Sequence, residues 1–459
     1  MHTKTRRPTV RSGVAALVVS GALVALLATA SGAVTQPKTT TYPAYPTKLT
    51  TADIKLAATY IGGKAGKAAT GPTIKVGFIN DETGSPAYPE NEQGATVAAD
   101  FINKDLGGLK GDKLAFIFCD AQSTDAAATA CGQAMVNDHV KVVVTGTLID
   151  PNDSTMYDDL FNAGIPVLQG NDLTTTDFSP PGLDSSKPSS GKIAATYMPG
   201  SPGVVEGMAK FIGQGGLGAS VTTKNITAFY DSGDTGSQTA CELLFKPYSS
   251  LKSYNVTCAP IAEPWELSQV EAAMSSATAG SIFVPLIPVQ VCISFAQGMT
   301  ALHLTDPVVT TGLCFGKQLK TTLGTYPNGW YFGDYGINYF MYDSKLAASE
   351  QLAVYIAAVD KFDKSIDYTG FAGPSFGTVL TLAKFYNELG TKATSAQLAT
   401  KIWGFKGPQW GISGTMACGK VSPLFFPTIC GKEIGIAQFK GGKWIPIADA
   451  YNNKLINPF

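Results

Sequence analysis

Three features of the sequence are built for chemistry: a serine set between glycines, a glycine-rich run and eight cysteines. Gly373-Pro-Ser375-Phe-Gly377 matches the G-x-S-x-G elbow, which exposes a nucleophilic serine at a strand-to-helix turn. In the hydrolase order the serine needs a histidine later in the chain. The histidines are His2, His139 and His303, all upstream, so Ser375 is expected near a helix start without a triad. Gly213-Gln-Gly215-Gly-Leu-Gly218 matches the dinucleotide fingerprint. That motif needs a strand before it and a helix after it, so that helix N–H groups face the phosphates. Here a helical pattern precedes and a strand pattern follows. The glycines are therefore expected to end a helix, where glycine accepts positive φ.

Metal chemistry has few ligands, since no C-x-x-C or Cys/His cluster occurs. Acid pairs such as Asp158-Asp159 fall on a helical pattern and read as a solvated face. No catalytic constellation, metal or cofactor is expected. The sequons at Asn152, Asn225 and Asn255 read as chance occurrences in a chain of 459 residues. The cysteines fall as sequence-local couples: Cys119 and Cys131, Cys241 and Cys258, Cys292 and Cys314, Cys418 and Cys430. An even count in an exported chain reads as disulfides. Eight cysteines allow 105 connectivities, of which pairing of neighbours is the expectation.

These residues must be positioned by alternating strands and helices. Ile74–Ile79 (IKVGFI), Lys113–Cys119, Val140–Gly146 and Ile165–Gln169 are short apolar runs bounded by turn residues. Helical spacing separates them, at 92–103, 124–137 and 152–163. Near-continuous apolar strands alternating with helices imply a parallel sheet covered on both faces. After a polar stretch from Asn171 to Pro199 the pattern restarts, with strands at Ile226–Asp231, Tyr254–Ile261 and Ser281–Ile287. A further strand at Gly329–Gly333 precedes helical segments at 344–362, 377–389 and 395–402. Two apolar runs around Gly441-Gly442 signal a hairpin closing the second lobe. The fold class is α/β, in two lobes with a cleft between them, where ligands of such folds bind.

The amino terminus has a basic start (Lys4, Arg6, Arg7, Arg11), an apolar run from Ser12 to Ala30 and small residues at Ala28-Thr29-Ala30. These are the parts of a secretory signal peptide. Residues 1–33 are read as signal and 34–72 as a Thr/Pro-rich linker with a short helix at Thr51–Ile61. No cysteine precedes Cys119, so no lipid-attachment site is evident, and a retained anchor remains open. The net charge of −1, with 15% charged residues, argues against a nucleic-acid partner.

Further residues carry a resemblance. Ile74-Lys-Val-Gly-Phe-Ile, Thr83-Gly84-Ser85, Gly94-Ala95, Ile102-Asn103, Gly107-Gly108-Leu109 and Ala163-Gly164-Ile165-Pro166-Val167 follow one another in the chain. With Tyr230-Asp231, Gly236 and Gly407-Pro408, they resemble type I periplasmic binding proteins, the receptors of branched-chain amino acid ABC transporters. The resemblance covers about Ile74 to Phe459.

It implies two doubly wound parallel-sheet lobes joined by a three-crossing hinge. Lobe 1 would be residues 73–198 with 334–404, and lobe 2 residues 199–333 with 405–459. It also implies a small polar ligand, an ABC permease as partner and a monomer that is not an enzyme. A secreted sensing or interaction module of the same fold is the alternative. By position, the ligand would meet Ser85, Tyr88, Thr147, Leu148, Asn171 and Asp172 on lobe 1. On lobe 2 it would meet Asp234, Thr235, Leu286 and Tyr335. Amino-acid receptors of the family carry an aromatic before the glycine of the second-lobe loop, where this chain has Thr235.

Overall fold

The computed structural model describes residues 46–459 except 85–86, 150–152, 172, 234, 263, 336–348, 367, 369, 412–415, 421–425, 448–455 and 458–459. The basic and apolar amino-terminal run lies outside the described residues. The first lobe opens with α1 (Thr51–Ile61), β1 (Thr73–Asn80), α2 (Glu90–Asp105), β2 (Lys113–Asp120) and α3 (Asp125–Asn137). It continues through β3 (Val143–Thr145), α4 (Ser154–Asn162), β4 (Val167–Gln169), α5 (Thr175–Phe178) and β5 (Ala194–Thr196). Its sheet is wholly parallel in the order β2-β1-β3-β4-β5.

The period of two along these strands sorts side chains to opposite faces. Val76, Phe78, Val142, Val144 and Leu168 join the larger core cluster. Ile79, Val143, Val167 and Ala194 join a second cluster with side chains of α3 and α4. Both faces are therefore apolar and covered, as a parallel sheet requires.

The second lobe holds α6 (Gly200–Gly213), β6 (Asn225–Asp231), α7 (Thr235–Thr239), β7 (Asn255–Ile261), α8 (Leu267–Ser275) and β8 (Ile282–Leu286). Next come α9 (Val289–Ala301), β9 (Val309–Thr311), α10 (Lys317–Leu323) and β10 (Tyr331–Tyr335). Strands β7-β6-β8 are parallel, and a parallel bridge from Phe283 to Val308 carries the sheet on toward β9 and β10. The chain then returns to lobe 1 with α11 (Ser349–Phe362), α12 (Ala372–Leu389) and α13 (Ser395–Trp403). Helix α12 packs on α2, and α11 packs on α2 and α1. The hairpin β11 (Ile434–Lys440) and β12 (Lys443–Pro446) turns at Gly441-Gly442 and pairs antiparallel with β10, closing lobe 2.

Several boundaries differ from the sequence reading. The polar stretch from Asn171 to Pro199 contains α5 and β5, each too short to show a period. Helix α1 is no mere linker, because Ala57, Ala58 and Ile61 are buried against lobe 1. Strand β10 runs to Tyr335 within the sheet of lobe 2, past the expected crossing at 334. The glycine run behaves as expected: α6 precedes it, β6 follows it, and Gly215 and Gly218 take positive φ.

All four disulfides join sequence neighbours: Cys119–Cys131, Cys241–Cys258, Cys292–Cys314 and Cys418–Cys430. The first three pin a helical segment to its own lobe. The fourth lies on the third crossing. There the Thr196 N–H donates to the Thr428 C=O, and the Cys430 N–H donates to the Thr196 C=O, each at 2.9 Å. Gly431 allows the two crossings to touch, since a Cβ there would lie 2.0 Å from the Tyr197 carbonyl oxygen. The remaining crossing, between β10 and α11, falls on residues 336–348 outside the described set. Among the described residues, no helix is long and apolar enough to cross a membrane.

Candidate functional site

In open α/β sheets, ligands bind beyond the carboxyl ends of the parallel strands. On lobe 1 these ends are polar and held in one buried web. Asn80 closes β1; its Oδ1 accepts from the Thr147 N–H at 3.0 Å and its Nδ2 donates to the Tyr88 C=O at 2.9 Å. Thr147 Oγ1 accepts from the Nδ2 groups of Asn91 and Asn171, both at 2.9 Å. Ser375 Oγ donates to Asn91 Oδ1 at 2.8 Å, which fixes α12 to α2. The residue of the elbow-like motif is thus a buried helix-to-helix hydrogen bond in the first turns of α12, and Ser375 is 1% exposed. Asp81 accepts from the N–H groups of Ser123 and Ile149, both at 2.9 Å, so one carboxyl ties three loops together.

Lobe 2 has a smaller web. The Asp231 N–H donates to Ser237 Oγ at 2.9 Å, and Ser237 Oγ donates to the Leu286 C=O at 2.6 Å. Asp231 Oδ1 accepts from the Gly233 N–H at 2.9 Å. Gly312 makes room for Asp334, because a Cβ there would lie 2.4 Å from the Asp334 carboxyl carbon. Trp265, on the segment after β7, holds φ at +60°, an uncommon state for a bulky residue. Its indole N–H is buried without an acceptor.

The lobes meet at an aromatic contact. The ring of Phe371, the N-cap of α12, lies 5.7 Å from Tyr88 and 6.4 Å from Tyr335. All three rings are buried.

Burial shapes the acids. It pushes Asp81 up to about 6, against the lowering effect of the Ile149 and Ser123 N–H groups. Glu82 is pushed up to about 7, first by burial and then by Glu92, with Asp120 and Glu90 adding repulsion. Asp120 is held low overall despite its desolvation, because Thr83, Gln122 and Glu82 donate to it.

The structure brings Tyr88, Thr147 and Asn171 together on lobe 1, and Tyr335 to the same place from lobe 2. Thr147 is wholly buried, a scaffold hub whose hydroxyl already accepts two amides. Leu148 and Leu286, also expected at the ligand, are both core residues. The first is wholly buried in the cluster with α3 and α4 side chains. The second is a β8 core residue, 4% exposed. Alternation along an extended segment sends every other side chain inward, and the family resemblance did not resolve which. Ser85, Asp172 and Asp234 lie outside the described residues, and Thr235 opens α7 with its side chain undescribed. Sequence reading missed Asn80, Asn91, Phe371 and Trp265. The only signal for the first was an asparagine ending an apolar strand.

Known proteins share the fold. The family model described as periplasmic binding protein matches residues 73–235. Among curated proteins no match is found. The branched-chain amino acid transporter substrate-binding protein LivJ from Streptococcus pneumoniae, solved with isoleucine, has a TM-score of 0.64 at 14% identity. The match covers 84% of this chain and 100% of that one. The leucine-binding protein LivK from Thermotoga maritima has a TM-score of 0.63 at 13% identity, covering 84% and 99%. A putative branched-chain amino acid ABC transporter protein from Silicibacter pomeroyi has 0.64 at 16%, covering 84% and 100%. The chain has the fold of type I periplasmic binding proteins.

Proposed function

We propose that the chain is an exported solute-binding protein that captures one small polar molecule, an amino acid or amide-like compound, between its lobes for an ABC permease. The observation that carries this reading is the aromatic contact through Phe371, where the buried polar strand ends of lobe 1 meet the end of β10 from lobe 2. A site assembled from both lobes gains contacts only when they close, which couples ligand to motion. The isoleucine held by the similar LivJ fold supports a ligand of this size.

The reading includes no catalysis. Ser375, the serine of the elbow-like motif, is buried and committed to Asn91, which supports this reading. The basic and apolar start of the chain supports export, and the four disulfides support an oxidising compartment. We also take the protein to act as a monomer.

Small-angle scattering across a metabolite panel tests the central claim. A ligand-dependent fall in radius of gyration is expected. No change with any compound, including one recovered by native mass spectrometry of the secreted protein, overturns it.

A further inference from the structure

Helix α1 lies ahead of the residues that the family model matches, which begin at 73. It is nevertheless built into lobe 1. A capping box of Thr50 and Asp53 starts it, and Gly62 in the left-handed region ends it. Its Ala57, Ala58 and Ile61 are buried, and the helix packs on α11 and α12. The chain beyond is fastened to the end of α2. There the Lys64 N–H donates to the Leu106 C=O and the Ala69 N–H to the Asn103 C=O, each at 2.7 Å. Burial of one apolar face explains why the helix forms. It does not explain what Tyr60 touches.

Tyr60 reaches to the chain that leaves lobe 1 for the third crossing. Its hydroxyl lies 2.8 Å from Thr381 Oγ1 on α12 and donates to the Pro408 C=O at 3.2 Å. Its ring stands edge-on to Trp410, with centroids 5.2 Å apart. Lys384 of α12 donates to the Tyr60 C=O at 3.2 Å, and its ammonium lies 5.3 Å from the centre of the Tyr60 ring. The Trp410 N–H donates to the same Thr381 oxygen at 3.4 Å, and the Gly411 N–H donates to Gln351 Oε1 of α11 at 2.7 Å. One side chain of α1 thus meets α12 and residues 408 and 410 together.

The segment held in this way is the root of the hinge. The ring of Phe405 lies 5.1 Å from Phe385 of α12 and 5.0 Å from Tyr197, the residue after Thr196 on the neighbouring crossing. The Tyr197 hydroxyl donates to the Ile402 C=O at 2.8 Å. Further on, the Met416 N–H donates to the Lys406 C=O at 3.0 Å, and the Ala417 N–H to the Cys430 C=O at 2.9 Å. Cys430 is itself bonded to Thr196. Packed rings and backbone hydrogen bonds therefore run from α1 to the place where two crossings meet, and contiguous contacts of this kind can carry coupling.

We propose that α1 is a hinge strap, which through Tyr60 pins the root of the third crossing to α12 and so limits how far the lobes open in the absence of ligand. Hinge motion is absorbed by a few residues free to change φ and ψ. Holding Pro408 and Trp410 against lobe 1 withdraws them from that set and shortens the part of the crossing that bends. The strap needs no ligand, so it stands apart from the identity of any captured solute.

Hydrogen exchange and small-angle scattering of the full chain without ligand test the proposal in Tyr60→Phe, Tyr60→Ala and Thr124→Ala. Tyr60→Phe keeps the ring against Trp410 and removes the hydroxyl. Thr124→Ala removes the side-chain cap of α3, whose buried residues belong to the other core cluster, and so reports a general loss of stability. Relative to Thr124→Ala, exchange at the N–H groups of Trp410, Gly411, Met416 and Ala417 should be about tenfold faster in Tyr60→Phe, and faster again in Tyr60→Ala. The radius of gyration should rise in the same order, and Thr124→Ala should leave it at the wild-type value. Equal exchange in Tyr60→Phe and Thr124→Ala overturns the proposal. Faster exchange with an unchanged radius of gyration also overturns it, and α1 is then packing for lobe 1 alone. If Tyr60→Ala does not fold, Tyr60→Phe decides by itself. Failure of the strap leaves solute capture standing, because no ligand enters the test.

Discussion

The ring of Tyr335, the last residue of β10, lies 6.4 Å from that of Phe371, which caps α12 on the opposite lobe. Tyr88 lies 5.7 Å from the other side of the contact, so one phenylalanine links lobe 1 to lobe 2. Replacing Phe371 by leucine keeps an apolar side chain in place and removes both ring pairs, at a cost of about 1–3 kcal/mol. Denaturant unfolding should register that loss, and scattering should show a wider spread of lobe separations. An unchanged scattering profile would mean that the rings are packing alone.

Thr147 is predicted to act as scaffold. Thr147→Val strands the amides of Asn91 and Asn171, and two unmet buried donors cost about 2–6 kcal/mol. Thr147→Ser keeps the oxygen and should retain most of the stability. If instead the valine variant unfolds like wild type and only ligand affinity falls, the hydroxyl serves the ligand.

Glu206, in α6 of lobe 2, is 5% exposed, and burial pushes it up from 4.5 to about 7. A raised carboxyl favours the folded state while protonated. Its contribution is complete below 4.5 and declines as pH climbs to about 7. The loss is on the order of 3 kcal/mol. Midpoints of urea unfolding should fall across that window, and Glu206→Gln should remove this part of the slope. A slope that persists in the glutamine variant assigns it to other groups, such as Asp81.

The Cys418–Cys430 bridge closes a loop with a sequence separation of 12. Replacing both cysteines by alanine frees that loop in the unfolded chain and should lower stability by about 3 kcal/mol. Because Cys430 also donates to Thr196 in the hinge, limited proteolysis should find new cleavage between residues 405 and 430. Resistance equal to wild type would show that the hinge strands hold without the bridge.

Much of this molecule is legible in its sequence because the signals are local. Apolar runs such as Ile74–Ile79 and Ile226–Asp231 form strands, since hydrophobic periodicity is written over consecutive residues. The hairpin at Gly441-Gly442 and the reversed order around Gly213–Gly218 follow from glycine's access to positive φ. The neighbouring cysteine couples pair as expected, because short loops bring them together at small entropic cost.

The site was legible only in outline. Loop positions at Tyr88, Thr147 and Asn171 could be named from the sequence, but inward and outward facing side chains could not be separated. Leu148 and Leu286 turned inward, Thr147 became a hub, and β5 formed from three residues that carry no period of their own. Phe371 had no signal at all. The sequence by itself determined the alternation of elements and the absence of arginine beyond Arg11, which are properties of composition and of near neighbours, while the cysteine pairing was an expectation that the structure bears out. Only the tertiary structure decided that the ring of Phe371 stands against that of Tyr335 and that Thr147 gathers the amides of Asn91 and Asn171. Those relations join residues far apart in the chain, and packing alone brings them within contact.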